Sequence, residues 1–342
     1  VGWKHAPSML AADAVRTGRK DVLELLTRSG RVLRATRDHL LLAAVDAAFG
    51  WVRAERLQPG DHLATPRFLA PGDSSEWSVE QAAMLGYLVG DGHCRRGGLG
   101  FAQSESEGVA RRFDELANGL GGLVTWKGPR ARVSGVPLLR LVERAGLVNR
   151  LSHEKRVPVS LFACSPEIIA AFLAALWDCD GSVNDHIGLA LHSTTSERLA
   201  RDVQSLLLRL GVWSRITRRE NERGYGVRDL FLVETTGTDV RSFGRVIGPL
   251  LAHEEKSRRA AAWEARLAGK NTTTDIVPAA WRGLLSGRNQ HRRFAASPSG
   301  NVMRSTLERI AELDDNGELN SLATSDVRWD RIESVEAKGE SW

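Results

Sequence analysis

Two stretches of the chain are apolar on every side of a helix: residues 85–92 (Leu-Gly-Tyr-Leu-Val-Gly-Asp-Gly) and 173–181 (Leu-Ala-Ala-Leu-Trp-Asp-Cys-Asp-Gly). Each ends in Asp-Gly. Aligned on Asp91 and Asp180, small residues coincide at two places, Gly86 with Ala175 and Gly90 with Cys179. Those places lie four residues apart, on one helical face. Small residues at that spacing let a second backbone approach closely. The pattern predicts two helices packed along these faces. Asp91 and Asp180 then lie side by side at their C-terminal ends, with the next Gly as the stop.

The rest of the chain repeats around these runs. Asp91 and Asp180 are 89 residues apart (180 − 91), and a Ser follows each by 13 (104 − 91, 193 − 180). Each of these serines is expected to open a helix-like run, at 107–120 and 196–210, each run ending in Leu-Gly, with strand-like runs next at 123–127 and 212–216. Each half closes on a His-Glu-(Glu)-Lys phrase ending at Lys155 or Lys256. This predicts an α+β fold with a pseudo-two-fold pair of αββαββ-like repeats, about 80–160 and 165–264, within a domain over 76–264. Ser78 and Gln81 have the spacing of a capping box at its entry.

Before it, residues 1–75 read as β-rich: a strand at 21–27, a Ser29-Gly30 turn and a strand at 31–36. Residues 66–78 concentrate Pro, Gly and Ser as a linker does. After the repeats, 265–324 reads as an accessory or DNA-contacting insert that carries Arg292 and Arg293. Residues 325–342 return to strands.

The chain has 342 residues, enough for two or three domains, with 42% apolar and 26% charged residues. Its net charge of +5 permits a polyanionic partner. Cys94, Cys164 and Cys179 show neither metal nor disulfide spacing, so the expectation is a reducing, cytoplasmic setting. No apolar run approaches the roughly 20 residues that span a bilayer, so no membrane partner is expected. The paired carboxylates change the picture more. Asp91 and Asp180 repel each other, and the negative ends of two helix dipoles add to the cost. A divalent cation relieves both effects, and hard oxygen ligands suit Mg²⁺, with Mn²⁺ as a substitute. Gly90 and Cys179 join Asp91 and Asp180 as candidate metal-site residues.

Thr36-x-x-His39, then Gly50-Trp51, then Leu57-x-x-Gly60-Asp61 is an order that resembles the N-terminal splicing half of inteins, with the Hint fold. The resemblance implies that Thr36 and His39 polarise the first peptide bond. Residues 325–340 resemble the strands before the last intein block. No Cys or Ser nucleophile stands at Val1-Gly2-Trp3 and no His-Asn at the end. The expectation is therefore a Hint scaffold that does not splice as it stands.

The two Asp-Gly runs and their repeat resemble the double-motif LAGLIDADG homing endonucleases that are embedded in inteins. That resemblance implies a Mg²⁺-dependent, site-specific endonuclease inserted in a Hint domain, with Asp91 and Asp180 catalytic and Lys155 (in Lys155-Arg-Val-Pro158) and Lys256 as active-site lysines. Its implied partners are duplex DNA at the empty insertion site and a host nucleic-acid enzyme such as a replicative helicase or recombinase, and it acts as a monomer. Strands enter the major groove readily. The DNA-contacting candidates are accordingly Gln103, Lys127, Arg130, Arg132, Arg215, Arg218, Arg219, Arg223 and Arg228. Two alternatives stand beside this: a splicing element whose decayed nuclease only binds DNA, and a LAGLIDADG RNA maturase.

Overall fold

Alternate side chains of Leu23, Leu25 and Thr27 are buried in β1 (Lys20–Thr27), the two-residue period of a strand with one covered face. A turn at Gly30, whose φ of 78° suits glycine, leads into β2 (Val32–Thr36). Then come the hairpin β3 (Leu40–Val45) and β4 (Ala48–Arg53), and β5 (His62–Pro66). The computed structural model describes residues 18–95, 98–103, 106–220, 228–267, 275–285, 299–314 and 317–341, the side chains of 340 and 341 excepted. The chain divides into two compact units, Phe68–Lys270 and the residues on either side of it. The unit boundary thus falls after Arg67, near the start of the 66–78 linker that the Pro-Gly-Ser composition marks.

The inner unit opens with α1 (Val79–Gly90), capped as its sequence predicts: Ser78 accepts from the Gln81 amide, and Gln81 reaches back to the Ser78 amide. Every residue from Ala82 to Gly90 is buried. A helix apolar all round belongs in a core. The first repeat continues as β6 (Gly92–Arg95), β7 (Gly98–Ala102), α2 (Glu107–Gly119), β8 (Leu123–Lys127), β9 (Arg130–Ser134) and α3 (Val136–Arg144). The second runs α4 (Pro166–Asp180), β10 (Gly181–Asn184), β11 (Leu189–Thr194), α5 (Glu197–Arg209), β12 (Arg215–Arg219), β13 (Leu230–Thr236) and α6 (Asp239–Val246), followed by α7 (Glu254–Arg266). The sheets have the same topology, β6-β7-β9-β8 and β10-β11-β13-β12. The expected αββαββ order is present twice, with a third helix ending each repeat. One hydrophobic cluster spans both repeats.

Three local expectations change. The helix caps are Ser106 and Ser196, each accepting the amide three residues on at 3.2 Å, and not the earlier serines; Ser104 lies outside the described residues. The second repeat's third strand starts at Arg215, because Val212 is still tied to the helix end through its amide and the Leu207 carbonyl. Gly92 and Gly181 are not left-handed stops: α1 is capped by Asp91 and α4 by an extended Gly181. A Cβ at Gly92 would lie 2.4 Å from the Leu88 Cα, and one at Gly181 2.3 Å from the Trp177 ring, so close packing requires those glycines. The left-handed stops are Gly121 and Gly211, at φ of 78° and 69°, after α2 and α5.

The outer unit resumes with the short pair β14 (Ile276–Val277) and β15 (Val302–Met303), then α8 (Arg304–Asp314), α9 (Gly317–Ala323) and β16 (Val327–Ser341). β16 pairs with β5 through its first residues and with β1 through its later ones, giving one sheet in the order β2-β1-β16-β5-β3-β4. The described part of 265–324 beyond 270 is integral to this unit and does not stand apart as an insert. Trp281, Leu307, Ile310, Leu319 and Leu322 share a core with Ala44 and Trp329. Buried Arg304 fixes it, binding the Asp275 carboxylate at 3.0 Å and the Leu322 and Ala323 carbonyls that end α9.

Candidate active site

α1 and α4 pack along the small residues that the sequence aligns. A Cβ at Gly86 would stand 2.3 Å from the Phe172 carbonyl oxygen and 2.8 Å from the Ala175 Cβ. At Gly90 it would stand 2.5 Å from the Cys179 Cβ. Only glycine in α1 allows this separation. The contact brings the C-terminal ends of the two helices together, and with them Asp91 and Asp180.

The electrostatics follow from that meeting. The Asp180 carboxyl is pushed up to about 6, first by burial and then by the Asp91 charge, against the pull of Lys155 and Lys256. The Lys155 ammonium is lowered by burial, opposed by Asp180 and Asp91. Asp180 thus feels Asp91 and both lysines, and Lys155 feels both carboxylates. Each lysine also sits on the end of its own repeat's motif helix. Lys155 Nζ donates to the Gly90 and Gly92 carbonyls at 2.5 and 3.2 Å, and Lys256 Nζ to those of Trp177 and Asp178 at 3.0 and 2.8 Å. A cation there meets the negative pole of the helix.

The segments bearing the lysines are held crosswise. Ser196, the cap of α5 in the second repeat, donates its hydroxyl to the Lys155 carbonyl at 2.7 Å. Ser106, the cap of α2 in the first, donates to Glu254 at 3.2 Å, two residues from Lys256. Asp178 adds a hold that the sequence reading does not single out. Its buried carboxylate accepts from the Tyr87 hydroxyl at 2.8 Å and from the Ala252 and His253 amides at 3.0 Å each. It thereby ties α1 to the approach to Lys256. The first repeat has Val89 at the equivalent position. A lone acid inside an apolar run was the available signal.

The Asp91 and Asp180 carboxylates supply hard oxygens of the kind that suits Mg²⁺. Among the described residues no three His, Cys, Asp or Glu side chains converge as a metal site. Two of the predicted metal-site residues serve other ends in the structure. The Gly90 carbonyl takes the Lys155 ammonium, and the Cys179 thiol, raised far above its ordinary value by burial, packs against Gly90.

Behind the second motif lies His192 of β11, fully buried beside Trp177 at 5.4 Å between ring centroids, with neither ring nitrogen bonded among the described residues. Burial lowers it to about 3. The register equivalent in the first repeat is Phe101. The folded state resists a proton that the unfolded chain accepts near 6.5, so His192 costs stability as pH falls below 6.5. The cost approaches ~1.4 kcal/mol per pH unit until about pH 3. His192→Phe is expected to flatten that part of the profile. Urea midpoints of both proteins from pH 7 to pH 5 test it, and identical slopes would refute it.

The predicted DNA-contacting residues divide by repeat. Lys127, Arg130 and Arg132 project from β8 and β9, exposed, and make no ion pair with a described residue. Gln103 follows β7, its amide bonded to the Pro129 carbonyl. In the second repeat Arg215 pairs with Glu234 at 2.8 Å and Arg218 with Asp229 at 2.5 Å. Arg219 and Arg228 are exposed. Arg223, Arg292 and Arg293 lie outside the described residues. In the outer unit Thr36 donates its hydroxyl to Asp38 at 2.6 Å, and Lys20 and Thr36 together hold Asp38 down at about 2. His39 is exposed, with its amide on the Thr36 carbonyl at 3.0 Å. No described helix is long and apolar enough to cross a membrane.

Residues 167–248 match the family model described as a LAGLIDADG-like domain. Over its whole length the chain is similar to proteins of differing kinds. It is 33% identical to the replicative DNA helicase DnaB of Rhodothermus marinus, across 94% of this chain and 38% of that protein. It is 30% identical to DnaB of a Nostoc strain, across 97% and 41%. With RecA of Mycobacterium tuberculosis the identity is 27%, across 93% and 46%. The chain spans less than half the length of these curated relatives. Among solved structures it is similar to the homing endonuclease I-DmoI in complex with DNA and Ca, at 18% identity and a TM-score of 0.37, covering 55% of this chain and 97% of that one.

Proposed function

We propose that this chain is a site-specific, double-stranded DNA endonuclease carried within a protein-splicing element, and that it hydrolyses phosphodiester bonds with Mg²⁺. The observation that carries the reading is the meeting of Asp91 and Asp180 at the ends of α1 and α4, each end bearing its own half-buried lysine. Asp91 and Asp180 would hold the cation. Bound there, Mg²⁺ supplies Lewis-acid stabilisation of a phosphoryl oxygen and an acidified water. Lys155 and Lys256, already oriented by helix carbonyls, offer fixed positive charge to the phosphate as its charge grows. Two such sets match two strands.

The likeness to relatives supports the splicing context. A segment that covers nearly all of this chain and less than half of a helicase or of RecA behaves as an insert within unlike hosts. On this reading the host is a nucleic-acid enzyme, with the replicative helicase in first place. Thr36 and His39 would serve the acyl shift at its upstream junction.

The experiment is incubation of the full chain with supercoiled plasmid bearing the joined, insert-free host gene. Linear product with Mg²⁺, and none with EDTA, is expected. Binding without cleavage in either Mg²⁺ or Mn²⁺ would refute the nuclease and favour a DNA-binding relic.

A further inference from the structure

The two sheets carry rows that are equivalent in register, one holding Arg132 and the other Glu234 paired with Arg215. In the first repeat Gly92 pairs with Phe101. One step outward the row reads His93, Gly100, Arg132, Thr125 across β6, β7, β9 and β8. In the second repeat Gly181 pairs with His192, and the matching row is Ser182, Leu191, Glu234, Arg215 across β10, β11, β13 and β12. Strand alternation puts both rows on the side away from the core, because Phe101, Ala131, His192 and Val233 point inward. Position for position, Arg132 of one repeat stands where Glu234 stands in the other.

The two positions are prepared for opposite tasks. Arg132 is exposed and makes no ion pair with a described residue. Beside it the His93 ring lies over Gly100, where a Cβ would be 1.9 Å from the ring's Cε1, so the row is flat there. Glu234 accepts Arg215 Nε at 2.8 Å and Thr217 Oγ1 at 2.9 Å, and both bonds fall on Oε2. Its Oε1 keeps its acceptor capacity, on a carboxylate whose orientation is set. A carboxylate facing a phosphate backbone is repelled, whereas one facing a cytosine edge accepts from the N4 amino group. An arginine donates to guanine O6 and N7.

We propose that Arg132 and Glu234 are specificity-determining residues of opposite sense, reading guanine in one half-site and cytosine in the other, so that the target departs from two-fold symmetry at this pair of positions. The proposal rests on the endonuclease reading above and adds the chemistry of its substrate.

The test is selection of bound duplexes from a randomised library by the full chain, by Arg132→Ala and by Glu234→Gln, with melting curves as folding controls. Wild type should prefer G at one position and C at another in the opposite half. Arg132→Ala should lose only the first preference, by about 10-fold, the discrimination expected of one good base contact. Glu234→Gln should turn the second from C toward A, since an amide suits adenine. Uniform weakening on every sequence, with wild-type preferences retained, would overturn this proposal alone. A wild-type chain that binds no duplex selectively would overturn it together with the endonuclease reading.

Discussion

Asp180→Asn is expected to lower strand cleavage by at least about 100-fold, a typical cost of losing one preorganised electrostatic group. Duplex binding should persist, since the strands proposed to meet the bases are untouched. The amide has the shape of the carboxylate and lacks its charge. It therefore removes the repulsion from Asp91 that, with burial, lifts the Asp180 carboxyl to about 6. The variant should consequently melt no lower than wild type at neutral pH without divalent cation. That pairing of lost chemistry with kept stability separates a catalytic role from a structural one. Asp91→Asn should behave likewise. Supercoiled plasmid assays distinguish linear, nicked and uncut products, and undiminished linear product from either variant would end the assignment.

The second large effect concerns folding. Gly86→Val places carbon where the Phe172 carbonyl oxygen and Ala175 Cβ already stand, at 2.3 and 2.8 Å from the Cβ position. Backbone oxygen cannot rotate away as a flexible side chain can. The helices must separate, and every residue buried between them loses contact. Overpacking of this kind costs about 1–3 kcal/mol and occasionally more, and the upper end is expected here. Gly119→Ala is the control: its Cβ meets nothing within 4 Å, it ends α2, and helix propensity favours the change. The thermal transition of the inner unit should fall sharply for the first and hold for the second. Equal melting of Gly86→Val and wild type would show that the interface is looser than these distances imply.

Much of this was legible because it is periodic. Gly86 and Gly90, spaced by four and matched by Ala175 and Cys179, fix a helix pair without reference to anything distant. The 89-residue offset (180 − 91) carries each half onto the other, and Ser78 with Gln81 is a local device read locally. Capping was less legible in the second helices, because serines crowd those loops and any of them suits a cap; the chain uses Ser106 and Ser196. Pairings across long separations were not legible at all. Nothing near Arg215 announces Glu234, and nothing near Trp281 announces Ala44 and Trp329. Asp178 and His192 were hidden differently, since one polar residue within an apolar run does not disclose its partner or its lack of one.

The outer sheet takes its strands from both sides of the inner unit, and the chain leaves and returns at one place. The Arg67 amide donates to the Asp326 carbonyl at 2.8 Å, and its guanidinium reaches Asp275 at 3.0 Å. For the polymer, everything from Phe68 to Lys270 is a single closed loop with its ends pinned. Closing a loop costs entropy only logarithmically, about 0.6 kcal/mol for each doubling of its length. Set against a hairpin of about four residues at Arg67, a loop of this length is nearly six doublings longer, so closing it costs roughly 3–4 kcal/mol more, which the contacts that pin its ends must offset.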